Sequence, residues 1–210
     1  MLGLIKKDFL LIKANLKSMI IVFIIYLMMV FQGSFDVTFI VPLIGIMMFM
    51  TTFSYDDFNN WNSYAVTLPN GRKNIVRAKY IASIILTIIL GIMTFAISIG
   101  VNYAKTSNVN FEEITASLMG TILSVVIIIA LMYPTVFKFG STNGRIIVFA
   151  VVFGIIGIGA LFVKFIDMKA FENVINGLDK CSYIAIPIIS IILLVISYLI
   201  SNKIYQNKEF

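Results

Sequence analysis

The stretch 55–80, YDDFNNWNSYAVTLPNGRKNIVRAKY, decides the reading of this chain, because it is the long polar interval between hydrophobic runs. Asp56 and Asp57 precede Phe58, Trp61, Ala65 and Leu68, which recur at helical spacing on one face. An acidic pair ahead of the first apolar position suits a helix N-cap and complements the positive end of the helix dipole. Pro69 ends that helix, and Asn70-Gly71 supplies a turn where positive φ costs little. Arg72, Lys73, Arg77 and Lys79 then lead into the next apolar run. The sequence therefore predicts a short amphipathic helix with an aromatic face, held between apolar runs by basic anchors. Two readings fit it: a docking element for a partner, or a plain connector lying on lipid headgroups.

Composition sets the class. Of 210 residues, 60% are hydrophobic and 12% are charged, and the mean hydropathy is +1.01. A soluble domain carries about 25% charged residues. The chain is an integral membrane protein of the all-α kind. Net charge is +6, yet the basic residues sit at the ends of apolar runs, which suits membrane orientation better than nucleic acid. Histidine is absent and Cys181 is the one cysteine, so there is neither a disulfide framework nor a Cys/His metal cluster.

Working outward from the central stretch, six transmembrane helices are predicted, at about 18–32, 37–53, 80–101, 114–136, 146–163 and 183–200. None of these runs holds a charged residue. Ahead of them, residues 1–17 carry Leu2, Ile5, Phe9, Ile12 and Leu16 on one stripe, with Lys6, Lys13 and Lys17 beside it. That pattern reads as an N-terminal amphipathic interfacial helix, or as a basic leader that sets topology. An even number of spans puts both termini on one side. Twelve of the 16 basic residues, including those at 72–79, fall on that side. The positive-inside rule then places both termini and the loop at 54–79 in the cytoplasm of a multi-pass cell-membrane protein. Two segments fall on the other side. Residues 102–113 read as an ordinary polar loop. In the segment 164–182, Phe165, Met168, Phe171, Val174 and Ile175 repeat at roughly helical spacing. Short helices in the outer interface and a solvated loop both account for it. The whole chain, 1–210, reads as a single transmembrane domain.

The missing chemistry narrows the function. Without histidine or charge inside the predicted spans, no proton or ion relay is legible. No phosphate-binding loop occurs, so the chain lacks that means of holding nucleotide. Gly154, Gly157 and Gly159 would permit close helix approach, either within one subunit or across a dimer. Pro42, Pro134 and Pro187 mark candidate kinks.

Several runs carry a resemblance. Tyr55-Asp56-Asp57, Trp61, Thr67-Leu68-Pro69, Arg72-Lys73, Ile75-Val76 and Lys79-Tyr80 resemble the cytoplasmic loop of type-2 (exporter-type) ABC-transporter permeases of Firmicutes. Pro134-Thr135-Val136-Phe137-Lys138-Phe139-Gly140, followed by Gly144-Arg145, is similar to that family's junction between fourth and fifth spans. Asn70-Gly71 departs from the hydrophobic and Ser/Thr residues expected after Leu-Pro.

The resemblance implies a permease that works as a homo- or heterodimer with a separate cytoplasmic ABC ATPase. ATP and Mg would bind in that ATPase, and this chain would bind no cofactor or metal and catalyse nothing. The helix between the second and third spans would be the coupling helix. Asp56, Asp57, Phe58, Trp61, Tyr64 and Leu68 would then serve ATPase docking, with Arg72 and Lys73 anchoring the return. The implied cargo is an amphipathic peptide, such as a phenol-soluble-modulin-like toxin or an antimicrobial peptide, or another hydrophobic molecule. The alternative from another class is an ATPase-independent membrane protein, such as a bacteriocin-immunity or scaffold protein. A secondary transporter would show intramembrane charge or inverted repeats of broken helices, and neither is present.

Overall fold

The computed structural model describes the backbone of residues 1–32, 37–67, 71–106, 111–163 and 168–208. Within these, side chains are described except at 31, 37–43, 105–106, 113, 152, 155–163 and 168–184. All the described regular structure is helical: α1 (Leu2–Phe31), α2 (Val37–Phe58), α3 (Trp61–Val66), α4 (Gly71–Thr106), α5 (Phe111–Val163) and α6 (Met168–Gln206). Helix α5 is the hub, packing on α2, α4 and α6, while α1 packs on α2 and α4.

Four stretches among the described residues are long and apolar enough to cross a membrane: Leu2–Val30, Gly71–Ala104, Ile114–Val151 and Ala185–Gln206. The chain is thus an all-α membrane protein, but its helices are divided differently from the six expected. No break separates residues 1–17 from the first predicted span. Both lie in α1, a single 30-residue helix, about 45 Å long at 1.5 Å per residue. Its inward stripe is Asp8, Ile12, Leu16, Met19, Phe23, Tyr26 and Val30, buried or half-buried at steps of three and four. Leu2, expected on the stripe, is exposed. One continuous packed face explains the single helix, since nothing changes direction at residue 17. Likewise, the residues from Met168 onward in the segment 164–182 belong to α6 and run unbroken into the last predicted span. Residues 164–167 lie outside the described residues.

The sharpest local feature falls inside α5. Gly140 has φ 81° and ψ 173°, a non-helical conformation that divides the element. That region of backbone space is essentially reserved for glycine. A Cβ built on Gly144 would sit 2.8 Å from the Cα of Val136, whereas residues eight apart in an unbroken helix are about 12 Å apart. The chain therefore turns back on itself at Gly140. Pro134 and Pro187, the candidate kinks, both lie inside helical stretches, and neither ends its helix. Pro134 lacks the N–H that would bond the carbonyl of Ala130. Ser197 of α6 donates to that carbonyl instead, at 3.0 Å.

The core is aromatic. Tyr133 meets Phe53 edge-on at 5.0 Å and Tyr80 at 4.9 Å between ring centroids. Phe137 continues the series to Phe53 at 5.3 Å and to Tyr205 at 5.1 Å. Such edge-to-face pairs suit the quadrupoles of the rings. Hydroxyls among them are satisfied: Tyr80 lies 2.6 Å from Ser197 Oγ and 2.8 Å from Ser201 Oγ. Because Ser197 donates to Ala130, it accepts from Tyr80, and Ser201 donates to Tyr80. That chain of hydroxyls binds α6 to α4 and to the proline-freed carbonyl of α5.

Candidate functional site

Both chain ends lie beside α3. Lys7 near the N-terminus bonds Asp56 at the end of α2, and Arg72 donates to the carbonyl of Gln206 near the C-terminus. Lys208 donates to the carbonyl of Phe137 at 2.8 Å. This end of the bundle gathers the polar residues of the central stretch, and α3 stands in the middle of it.

Asp56 and Asp57 do not cap α3. They lie in the last turn of α2, and the N-cap of α3 is Asn60, in the left-handed region at φ 50°. The helix that was expected to begin at Asp56 is interrupted at Asn59-Asn60, so the acidic pair projects sideways from α2 instead of lying over the start of α3. Asp56 points inward. Its side chain is about as buried as those of Asp8 and Lys79, at 4–5% exposure. Lys79 Nζ lies 2.7 Å from Asp56 Oδ2 and 3.1 Å from Asp8 Oδ1. Lys7, a quarter exposed, bonds the other oxygen of Asp56 and lies 3.5 Å from Asp8. Two lysines and two aspartates thus form a closed, charge-neutral quartet joining α1, α2 and α4.

Neutrality is what allows such burial. Removing charges from water costs several kcal/mol per ion, and good geometry with opposite charges is needed to offset it. Aromatic faces add to the balance: Lys7 lies 4.7 Å above the Trp61 ring and Lys79 4.7 Å from the Phe53 ring. The Lys7 contact ties α3 to the quartet.

Asp57 turns the other way. Its Oδ2 accepts from the backbone N–H of Ser141 at 2.5 Å, beside the Gly140 turn of α5. Its Oδ1 accepts from Asn62 Nδ2 of α3 at 3.0 Å. Asn62 Oδ1 in turn accepts from the Tyr205 hydroxyl of α6 at 3.0 Å. Asp57 therefore caps the second arm of α5, where an anion meets freed N–H groups and the positive helix end. Through Trp61 and Asn62, a six-residue helix touches Lys7 of α1, Asp57 of α2 and Tyr205 of α6, and Asp57 and the quartet extend the connection to α5 and α4.

The outward surface where α2 meets α3 is aromatic, with Phe58 at the end of α2 and Tyr64 on α3. Phe58 is 85% exposed and Tyr64 60%. Trp61 is half-buried, stacked obliquely on Tyr64 at 5.3 Å. Of the residues expected to form one docking face, Phe58 and Tyr64 lie on the surface and Trp61 lies beneath them. Asp56 is withdrawn into the quartet, a correction to its expected outward role. Arg72 is held against the end of α6, and Lys73 is exposed. Leu68 lies outside the described residues. Gly71 is needed for space, not for positive φ: a Cβ there would collide with the Ala65 carbonyl at 2.0 Å. Gly154 has open space around it, and the surroundings of Gly157 and Gly159 lie outside the described residues.

Sequence reasoning missed Asp8, and with it the quartet. The signal was present: Asp8 sits one turn before Ile12 on an otherwise apolar stripe, where a charge needs a buried partner. Lys7 read as a topology signal and Lys79 as a basic anchor and part of the Lys79-Tyr80 resemblance, and neither Asn62 nor Ser141 was singled out.

A bundle of long apolar helices with a polar, aromatic-faced helix at the end that holds both termini defines a multi-pass membrane protein with a connecting element between helix pairs. The sequence profile of the ABC-2 family transporter protein matches residues 3–206. The chain belongs to that family. It is a membrane-embedded permease subunit of an ABC transporter, a transport component that is not itself catalytic, and the family implies an ABC ATPase partner. No curated protein and no solved structure matches the chain.

Proposed function

We propose that this permease exports an amphipathic or hydrophobic cargo, a small peptide of toxin or antimicrobial type being the favoured class, and that α3 is its coupling helix. The single observation that carries the reading is the form of the α2–α3 corner: Phe58 at the end of α2 and Tyr64 on α3 are exposed outside, while Trp61 and Asn62 are tied inward to Lys7 of α1, Asp57 of α2 and Tyr205 of α6. In this account α1, α2, α4, the two arms of α5 and α6 supply six spans, both termini lie in the cytoplasm, and two permease subunits enclose the path. ATP and Mg belong to the ATPase.

The chain's own residues then transmit the motion. A partner that displaces α3 pulls Lys7 through the Trp61 ring and moves α1 with the quartet. The same displacement pulls Asp57 and Tyr205 through Asn62, shifting the α5 turn and α6. Charge-assisted bonds at about 1.5–3 kcal/mol each are strong enough to move these helices as a unit. A two-state bundle biased by the nucleotide state of the partner requires no catalytic residue here. Apolar, methionine- and phenylalanine-rich surfaces suit cargo of varied shape.

The test is transport. Inside-out vesicles holding this permease and its ATPase are expected to accumulate a fluorescent amphipathic peptide only when ATP is supplied. ATP-independent accumulation, or none for any peptide or hydrophobic dye while ATP is hydrolysed, would sink the exporter reading.

A further inference from the structure

The two sides of the Gly140 turn are held by different residues, and one amide of α3 joins them. Just before the turn, Phe137 sets its ring edge-on to Tyr205 at 5.1 Å, and its carbonyl accepts from Lys208 at 2.8 Å. Just after it, Ser141 opens the second arm of α5 with its N–H on Asp57 Oδ2. Asp57 also abuts the turn itself, since a Cβ built on Gly140 would lie 3.5 Å from that oxygen. Tyr205 therefore packs on the first arm and Asp57 holds the second. Asn62 spans the pair: Nδ2 donates to Asp57 Oδ1 at 3.0 Å, and Oδ1 accepts from the Tyr205 hydroxyl at 3.0 Å.

The partners fix that amide in one orientation. A carboxylate only accepts, so the group facing Asp57 is the NH2, and the oxygen is left for the tyrosine hydroxyl, which donates. Tyr205 is 1% exposed, which keeps water from competing for the bond. Backbone packing does not do this work. Among the described residues α3 packs on α2 and α4, and on neither α5 nor α6. The left-handed Asn60 turns the chain out of α2, and Asn62 follows two residues later.

We propose that Asn62 is a clasp that sets the angle between the two arms of α5, a positioning residue acting through Tyr205 on one arm and Asp57 on the other. The backbone at Gly140 lies in a region that glycine enters freely, so the turn supplies freedom and the clasp removes it. In the six-span reading each arm is one crossing, and a six-residue helix then fixes the tilt of two spans on which it does not pack. The clasp is a property of the chain alone and holds whatever binds the outward surface.

Double electron–electron resonance on the detergent-purified permease tests this. Spin labels go at Ile127 and Phe153, exposed positions equally far from Gly140 in sequence, with Cys181 replaced by Ser. Dilution with unlabelled protein leaves only pairs within one chain. Each label lies about 20 Å along its arm at 1.5 Å per residue, so a hinge rotation of about 10° moves the pair by roughly 3 Å. Asn62→Leu removes both bonds and is expected to shift or broaden the distance by at least that amount. Asn62→Asp should do the same, because it sets a second carboxylate against Asp57. Adding Asp57→Asn to Asn62→Asp exchanges the donor and acceptor roles. The new amide at 57 accepts from Ser141 and donates to the new carboxylate at 62, which accepts from Tyr205, so the wild-type distance should return. Adding Asp57→Asn to Asn62→Leu should rescue nothing. An unchanged distance in either single variant at 62 would show that the arms are held without the clasp. A distance that stays displaced in the exchanged pair, or is rescued in the leucine background, would overturn the proposal as well, because the loss would then not lie in these hydrogen bonds. The exchanged pair decides the matter even if Asn62→Leu fails to fold.

Discussion

The two levels of the bundle are held together by different physics. At the α3 end, four charged side chains are paired in a closed quartet, with Lys79 and Asp56 at 2.7 Å. One level away, α6 shows the inverse of a soluble helix. Ser190, Ser197 and Ser201 are buried, while Ile188, Ile191, Ile192, Val195, Ile196 and Leu199 are exposed. In lipid, apolar surface gains nothing by turning inward, so helices are bound by packing and by hydroxyl–carbonyl contacts. At the α3 end, ionic contacts take over. The first level fixes which helices are neighbours, and the second connects them to the helix that faces outward.

If the ionic level carries the greater share of the stability, Lys79→Met should have the largest effect. It leaves Asp8 and Asp56 buried with Lys7 alone, and breaking a buried pair in this way costs about 3–5 kcal/mol. Thermal unfolding in detergent reads the loss, and pairing the change with Asp8→Asn should recover part of it. A Lys79→Met protein as stable as wild type would show that the quartet is open to water.

Next in size is Gly140→Val. The backbone conformation there costs a non-glycine residue about 1–3 kcal/mol, and straightening it would pull Ser141 away from Asp57. The same unfolding measurement should show a loss at 140 well above that for Ala substituted at the exposed Asn143. Equal losses would mean that the turn does not depend on glycine.

A smaller effect is expected from Ser197→Ala, at the lipid-embedded level. It leaves the Ala130 carbonyl without a donor and deprives Tyr80 of an acceptor, yet polar contacts between membrane helices average about 0.6 kcal/mol with a maximum near 1.7. Replacing Pro134 by Ala in the Ser197→Ala background restores the N–H that Ala130 lacks and should remove most of the cost. Failure of that rescue would disconnect Ser197 from the proline.

The contrast also explains how much was legible in the sequence. Apolar runs bounded by charge gave the membrane class, and a short helix ahead of Pro69 was expected from its local flanks and spacing, although it begins at Trp61 and not at the acidic pair. A junction between 136 and 146 was expected, but not its form: the reversal at Gly140 shows only once the chain around Val136 and Gly144 is seen to fold back. The quartet was not expected either. Asp8, Asp56 and Lys79 are distant in sequence, and each alone reads as a cap, an anchor or a topology signal. Asp56 and Asp57 show the same limit at closest range: side by side in the chain, one is buried among lysines and the other caps the second arm of α5.

At the smallest end of the scale stands the exposed aromatic pair where α2 meets α3. Phe58 and Tyr64 contribute little to the fold because they are exposed, so a Phe58→Ala, Tyr64→Ala double variant should unfold within about 0.5 kcal/mol of wild type. The most direct measurement on the central claim is therefore affinity capture of the ABC ATPase by detergent-purified wild type and by this double variant. The account predicts that the ATPase co-purifies with wild type and is lost from the equally stable variant. Undiminished capture by the variant would contradict it, and would place ATPase docking elsewhere than on α3.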